Sequence, residues 1–331
     1  MPARAQFSGC LIGQCLGDAL GFPVEGKSGA VCRAYVDEYL RTGQAGSLGR
    51  GSHPFGQYTD DSQLARELLQ SYVACRRFDP ADYAQRIAAI FREQRIVGAG
   101  GAAKFAAGRL NAGVPWEEAG MPPPDARNGS AMRAGPIGLL FHDDPSALIR
   151  AAHDQGRITH QDPRCSAGAA AIAGAVALAL RGGAITPGPF LAELATWTAT
   201  IEPTTPSYLQ QLIEWVTLPP AEAAPFIAVA GQDPTSLGGE IRIPVFVTSS
   251  ILWSLYAFLR TPGDYWETIC TAIAVGGDVD TTAAMAGAIS GAYLGLEAIP
   301  THLASRLSDQ GTWGLSELVG LADDAHAIAK G

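Results

Sequence analysis

The chain lacks a basic patch. Its 23 Lys and Arg residues are scattered among 32 Asp and Glu residues, for a formal net charge of −9. Nucleic-acid binding is therefore disfavoured, because neutralising phosphates takes a cationic surface. An acidic protein that holds an anionic ligand must do so locally, with metal ions or helix N-termini. The six cysteines, Cys10, Cys15, Cys32, Cys75, Cys165 and Cys270, form no CxxC pair. That argues against a cysteine zinc site and a disulfide scaffold, and it suits buried thiols in a reducing compartment. MPARAQFSG at the start has no signal-peptide apolar core. The apolar stretches 167–180 and 245–259 both fall short of the roughly 20 residues a membrane span needs. These features predict a cytoplasmic protein with no membrane partner; a monomer is expected, although the sequence does not give the oligomeric state. No GxSxG, HExxH or Walker sequence is present. Sustained alternation of apolar and polar residues is missing too, apart from a short run at 241–247.

What is present is helical periodicity in a chain that is 47% hydrophobic. Residues 7–20 place Gly9, Gly13 and Gly17 four apart on one face, a spacing that lets another backbone approach closely. Residues 61–74 carry the stripe Leu64, Leu68, Leu69, Tyr72 and Val73. Residues 82–95 carry Tyr83, Ile87, Ile90 and Phe91. Residues 166–180 are apolar nearly all round, which predicts a central helix. Further helices are expected at 191–200, 208–216, 245–259, 265–275, 281–294 and 315–329. The predicted fold is all-α: one compact single-domain orthogonal helical bundle over residues 1–331, with long loops around a cleft. Residues 26–57 and 111–136 read as irregular excursions. Residues 181–240 read as the most variable part.

Two acidic clusters stand out. Thr59-Asp60-Asp61 opens the Leu64 helix. Read alone it is an ordinary helix start, with Thr59 as the cap and two acids favoured by the helix dipole. Gly276-Gly277-Asp278-Val279-Asp280-Thr281-Thr282 joins two apolar helices. The glycines can end the first helix in a left-handed conformation, and Asp280 or Thr281 can cap the second. Asp278 and Asp280 then lie deep in the protein, where carboxylates need partners. The nearest basic residues in sequence are Arg260 and Arg306. A hard divalent cation would solve the problem, and Asp and Thr oxygens suit Mg²⁺, Mn²⁺ or Ca²⁺. Both clusters combine one Thr with two Asp at a helix start. Brought together, they could hold two cations for metal-assisted hydrolysis.

Other segments are weaker alone. Glu25 follows Gly21 and Pro23 on a loop, where an exposed Glu is unremarkable. Asn128-Gly129-Ser130-Ala131-Met132-Arg133 is a turn whose N–H groups can bind oxygens. Gly98-Ala99-Gly100-Gly101 lacks the preceding strand of a dinucleotide fingerprint. His160, before the apolar 166–180 helix, suits either a structural or a ligand-binding role.

Taken together, five segments resemble the ADP-ribosylglycohydrolase family: GCLIGQCLGDALGFPVEG (9–26), YTDDSQLA (58–65), NGSAMRAGPIGLLF (128–141), ITHQDPRCSAGAAAIAGAVALAL (158–180) and VGGDVDTTAAMAGAISGAYLG (275–295). They occur in the family's order, and the join of TDD with GGDxDT is the most specific part. The resemblance implies an all-α bundle holding two Mg²⁺ or Mn²⁺ ions. It implies Thr59, Asp60, Asp61, Asp278, Asp280 and Thr281 as metal ligands. Glu25, Asp61 and Asp280 are the implied base or acid. Asn128, Gly129, Ser130, Met132 and His160, with Gly98, Gly100 and Gly101, would line the ADP-ribose cleft. Ser62 and Val279 stand where the family often has Thr, and neither change removes an implied ligand. The implied activity is hydrolysis of the bond between ADP-ribose and a modified side chain, arginine or another acceptor, on a protein or a small substrate. Two alternatives stay open here: a catalytically silent ADP-ribose-binding relative, and a metallohydrolase of another ribosyl compound.

Overall fold

The computed structural model describes residues 2–233 and 239–330. Among them are seventeen α-helices and no strand, only isolated bridges. In chain order they are α1 (Arg4–Gly21), α2 (Gly29–Tyr35), α3 (Asp60–Cys75), α4 (Pro80–Arg92), α5 (Gly101–Asn111), α6 (Trp116–Ala119), α7 (Gly135–Leu140), α8 (Pro145–Arg157) and α9 (Pro163–Leu180). Then follow α10 (Pro187–Thr198), α11 (Thr205–Trp215), α12 (Pro220–Ala228), α13 (Val247–Arg260), α14 (Tyr265–Ala274), α15 (Val279–Leu294), α16 (Thr301–Ala304) and α17 (Leu315–Ala329). The all-α expectation holds.

The pairing of α1 with α15 organises the core. A Cβ added to Gly9 would lie 2.3 Å from the Gly291 carbonyl oxygen, one on Gly13 2.4 Å from that of Gly287, and one on Gly17 2.2 Å from that of Ala283. No side chain fits there, so the two backbones touch, as the four-residue glycine spacing predicted. The helices run antiparallel, and Gly21 at the end of α1 abuts the Asp280 backbone at the start of α15. The C-terminal end of one helix thus meets the N-terminal end of the other, and α3 begins at the same place.

Helix α9 is buried on every side from Cys165 onward. At 18 residues it is longer than the stretch read from sequence, and 89% of its apolar window is buried inside the fold. Its hydrophobicity therefore serves the core. Asp162 caps it by accepting the Arg164 N–H, and Asp79, Asp144 and Asp264 cap α4, α8 and α14 in the same way. Such caps contribute about 1 kcal/mol each.

Several expectations need correction. Residues 26–57 contain α2, whose N-cap Ser28 accepts the Val31 N–H, followed by a wider helical turn at Val36–Leu40. Residues 111–136 contain α6 and a tight turn at Asn128–Ser130. Helices α5, α7, α8 and α12 were not expected; in α5, α7 and α12 Ala, Gly and Pro blur the apolar stripe, whereas α8 does bury one face, from Leu148 to Gly156, and was missed. The alternation at 241–247 forms no strand. Ile243 and Phe246 instead bridge singly to Gly277 and Arg127. Within the variable stretch 181–240, residues 234–238 lie outside the described residues.

Candidate active site

The site begins with a carboxylate that sequence reasoning overlooked. Asp18, on α1, is fully buried. Its Oδ1 accepts the Thr59 N–H and the Thr59 hydroxyl, each at 3.0 Å. Its Oδ2 accepts the Ser62 N–H at 3.2 Å and the Ser62 hydroxyl at 2.7 Å. Asp18 therefore supplies the cap of α3 from another helix. Thr59 occupies the N-cap position but its side chain makes no capping bond, contrary to expectation. Its hydroxyl sits 3.0 Å from both Asp18 Oδ1 and Asp61 Oδ2. The one available signal was a lone acid in a helix otherwise apolar nearly all round.

The second cluster is shaped by Gly276 and Gly277, with φ of 85° and 90°. A Cβ on Gly277 would lie 2.1 Å from the Ile243 carbonyl oxygen. The turn is pinned by Gly26 N–H to Gly277 O at 2.7 Å, Gly277 N–H to Lys27 O at 2.9 Å, and Asp278 N–H to Ile243 O at 2.9 Å. Asp278 occupies the N-cap position of α15 without a capping bond, and neither Asp280 nor Thr281 is the cap. Asp278 is instead aimed inward, where Asn128 Nδ2 donates to its Oδ2 and Thr281 Oγ1 lies 3.3 Å from its Oδ1. Asn128 Nδ2 also donates to Ser250 Oγ at 2.8 Å.

Glu25 reaches this turn from the loop after α1. It is not a free surface acid, because Arg50 pairs with it while also donating to the Phe22 carbonyl. Single oxygens of Glu25, Asp278 and Asp280 lie within 4.8 Å of one another, a spacing that could hold a metal ion.

The fold thus brings the two acidic clusters together on one narrow cleft of about 100 Å³. One wall is Glu25, Asp60, Asp61, Asp278, Asp280 and Thr281; the other includes Gly98, Gly100, Asn128, Gly129, Met132 and His160. Ala102, Ala103, Arg127 and Val245 complete it, and none of these four was anticipated. Three anticipated residues do not line the cleft. The Thr59 hydroxyl is turned to its carboxylate partners. Gly101 lies behind Gly100. The Ser130 hydroxyl donates to the Cys165 carbonyl at 2.8 Å, inside the protein. A larger apolar groove near Pro219 and Trp253 has Asp37, Glu240 and Glu267 on its lining, but among the described residues they do not converge as the cleft carboxylates do.

Electrostatics single out the acidic wall. Burial and mutual repulsion raise Asp60 to about 7, and burial raises Asp18 to about 7 and Asp278 to about 6. Asp61 and Asp280 are pushed well above the usual carboxylate range by burial and by neighbouring carboxylates. Among the described residues no Lys or Arg forms an ion pair with Asp60, Asp61, Asp278 or Asp280. Asp61 Oδ1 is buried with no hydrogen-bond partner. Four buried carboxylates and an orphaned oxygen form a donor set that a hard divalent cation fits and that protein cations do not serve.

An all-helical frame that focuses buried carboxylates on one cleft suits metal-assisted hydrolysis. A family model for ADP-ribosylglycohydrolase matches residues 1–330, and the chain belongs to that family. It is 30% identical over 327 residues to ADP-ribosylhydrolase ARH3 of Gallus gallus, covering 90% of this chain and 88% of that one. It is 25% identical over 311 residues to ADP-ribosylarginine hydrolase Tri1 of Pseudomonas putida, covering 91% and 73%. Among solved structures, an ADP-ribosylglycohydrolase-related protein complex matches with a TM-score of 0.73 and 27% identity over 98% of both chains.

Proposed function

We propose that the chain is a divalent-metal-dependent hydrolase that releases ADP-ribose from a modified side chain. The observation that carries the reading is the unpaired, buried set Asp60, Asp61, Asp278 and Asp280, with the orphaned Asp61 Oδ1. With Thr281, these residues would hold two Mg²⁺ or Mn²⁺ ions, and Thr59, whose hydroxyl faces Asp18 and Asp61, would orient the Asp61 carboxylate. Such ions would lower the pKa of bound water and anchor ribose hydroxyls.

The chain's own groups supply the rest. The first N–H groups of α5, beside Gly98 and Gly100, point their dipole toward the cleft, and Arg127 lines the same end. That pairing suits a diphosphate. Glu25, Asp61 and Asp280 are the carboxyl groups placed to move a proton. Glu25 and Asp278 also border an adjoining chamber of about 270 Å³, with Gly26, Arg242, Ile243, Pro244 and Val245. We assign this chamber to the acceptor. Arg242, which forms no ion pair among the described residues, opposes a guanidinium there, while Glu25 and Asp278 on the same chamber attract one, so Arg242 is the group that would set the balance between arginine and an uncharged acceptor.

The test is release of ADP-ribose from arginine-linked, serine-linked and small-molecule substrates, each with Mg²⁺, Mn²⁺ or chelator. Metal-dependent turnover of at least one is expected. Binding of ADP-ribose with no turnover of any substrate would instead identify a silent relative.

A further inference from the structure

Arg133 is a fully buried guanidinium with no carboxylate partner among the described residues. Its Nε donates to Gln155 Oε1 at 2.8 Å, and its Nη2 donates to the Gln155 carbonyl at 2.7 Å and to Thr159 Oγ1 at 2.9 Å. The Tyr83 ring lies 5.6 Å below it. Holding a cation this deep costs desolvation, and burial does lower its pKa. The arrangement needs a reason, and the reason lies one bond further on.

Thr159 Oγ1 is 2.8 Å from His160 Nδ1. An arginine can only donate, so Thr159 accepts from Arg133. The hydroxyl has a single hydrogen, and His160 Nδ1 is the acceptor it faces. The oxygen could accept a second bond, but that would leave the hydroxyl hydrogen with no acceptor among the described residues; a bare Nδ1 satisfies both groups, and a neutral imidazole then carries its hydrogen on Nε2. Burial, with Arg133 and Arg127 nearby, pushes His160 down to about 3, so the ring is neutral. Gly129 leaves the ring its space: a Cβ there would lie 2.7 Å from Cε1 and 3.2 Å from Nε2. His160 and Gly129 both line the cleft.

We propose that Arg133 and Thr159 are positioning residues that lock His160 as an Nε2–H donor facing the cleft, ready for an oxygen of the ligand. A neutral donor suits a cleft whose carboxylates must attract cations, because a protonated imidazole would compete for the same carboxylates. The assignment of that oxygen to ADP-ribose rests on the proposed function. The lock itself does not.

Long-range ¹⁵N–¹H spectra of the histidines, with His160 assigned through His160→Gln, read the tautomer directly in the free protein. A bare Nδ1 and a protonated Nε2 are expected in the wild type. Thr159→Ser, which keeps the hydroxyl, should retain that signature. Thr159→Val should lose it and weaken ADP-ribose binding, measured by calorimetry with Mg²⁺, by about fivefold, the value of one neutral hydrogen bond. An Nδ1–H tautomer in the wild type would overturn the lock, and so would a Thr159→Val protein with unchanged tautomer and affinity. The wild-type spectrum decides even if Thr159→Val does not fold. If the tautomer is as expected but ADP-ribose fails to bind, the lock stands and the functional reading falls.

Discussion

Mg²⁺ should enter this site by expelling protons, so its affinity should climb with pH. At pH 6.5, Asp18 and Asp60, raised to about 7, are largely protonated, and Asp61 and Asp280 sit higher than the usual carboxylate range. A cation bound to Asp60, Asp61, Asp278 and Asp280 must displace those protons. Each displaced proton raises the apparent affinity about tenfold per pH unit, or about 1.4 kcal/mol. One to two displaced protons give a slope of about 1 to 2 in log K between pH 6 and 8.

The same groups set the stability of the metal-free protein. Asp18 moves from its ordinary 3.8 to about 7, so the folded state binds more protons than the unfolded chain between those values. Stability from this group is complete below 3.8 and is lost as pH rises through 7, by about 4 kcal/mol. His160 opposes it. The His160 pKa falls from 6.5 to about 3, so its contribution grows as pH rises across that window. Above pH 6.5 the histidine no longer matters and the carboxylates dominate. The Tm of the chelated protein should therefore fall between pH 6.5 and 8, and saturating Mg²⁺ should restore it. Calorimetry in two buffers of different ionisation enthalpy counts the protons released. Mg²⁺ affinity that is flat across pH 6 to 8, with no proton release, would refute the reasoning.

Replacing both Asp278 and Asp280 by Ala should abolish divalent binding and turnover together, read by calorimetry and ADP-ribose release; retained turnover would exclude the cluster from the chemistry. Asp18→Asn puts an amide NH₂ against the Thr59 and Ser62 donors. It should cost about 2–4 kcal/mol in chemical denaturation and weaken Mg²⁺ binding, although Asp18 does not line the cleft. Arg242→Glu should raise kcat/KM on an arginine-linked substrate relative to a serine-linked one by about tenfold. An unchanged ratio would remove Arg242 from acceptor selection.

Much of the frame was legible in local sequence. Gly9, Gly13 and Gly17 announced a backbone contact, and Gly276 and Gly277 announced the left-handed turn, because each is a demand made by a few neighbouring residues. The two acidic clusters shared a composition that hinted at one site. The capping assignments failed at the same spots. Thr59 was read as the cap because it stood next to its helix, while the group that caps α3 comes from Asp18, 41 residues earlier. Ser130 looked like a ligand group in a turn, yet its hydroxyl is spent on Cys165, 35 residues later. Arg50, Arg127 and Arg133 were invisible as site residues for the same reason: single cations gain meaning only from partners that the fold delivers.

The glycine seam between α1 and α15 sets the mechanical character of the cleft. Gly21 rests on the Asp280 backbone, so the distance between the Asp18 and Asp280 segments is gauged by peptide groups in contact. Interchange of core side chains cannot retune it, and the two helices behave as one beam. The loop carrying Glu25 is tied to the same seam by the Gly26–Gly277 and Gly277–Lys27 backbone bonds, while the Glu25 side chain is paired with a partly exposed arginine. The spacing of the carboxylates on the two helices is therefore a property of glycine positions, and any side chain at Gly13 or Gly17 would spread the acids of the cleft apart.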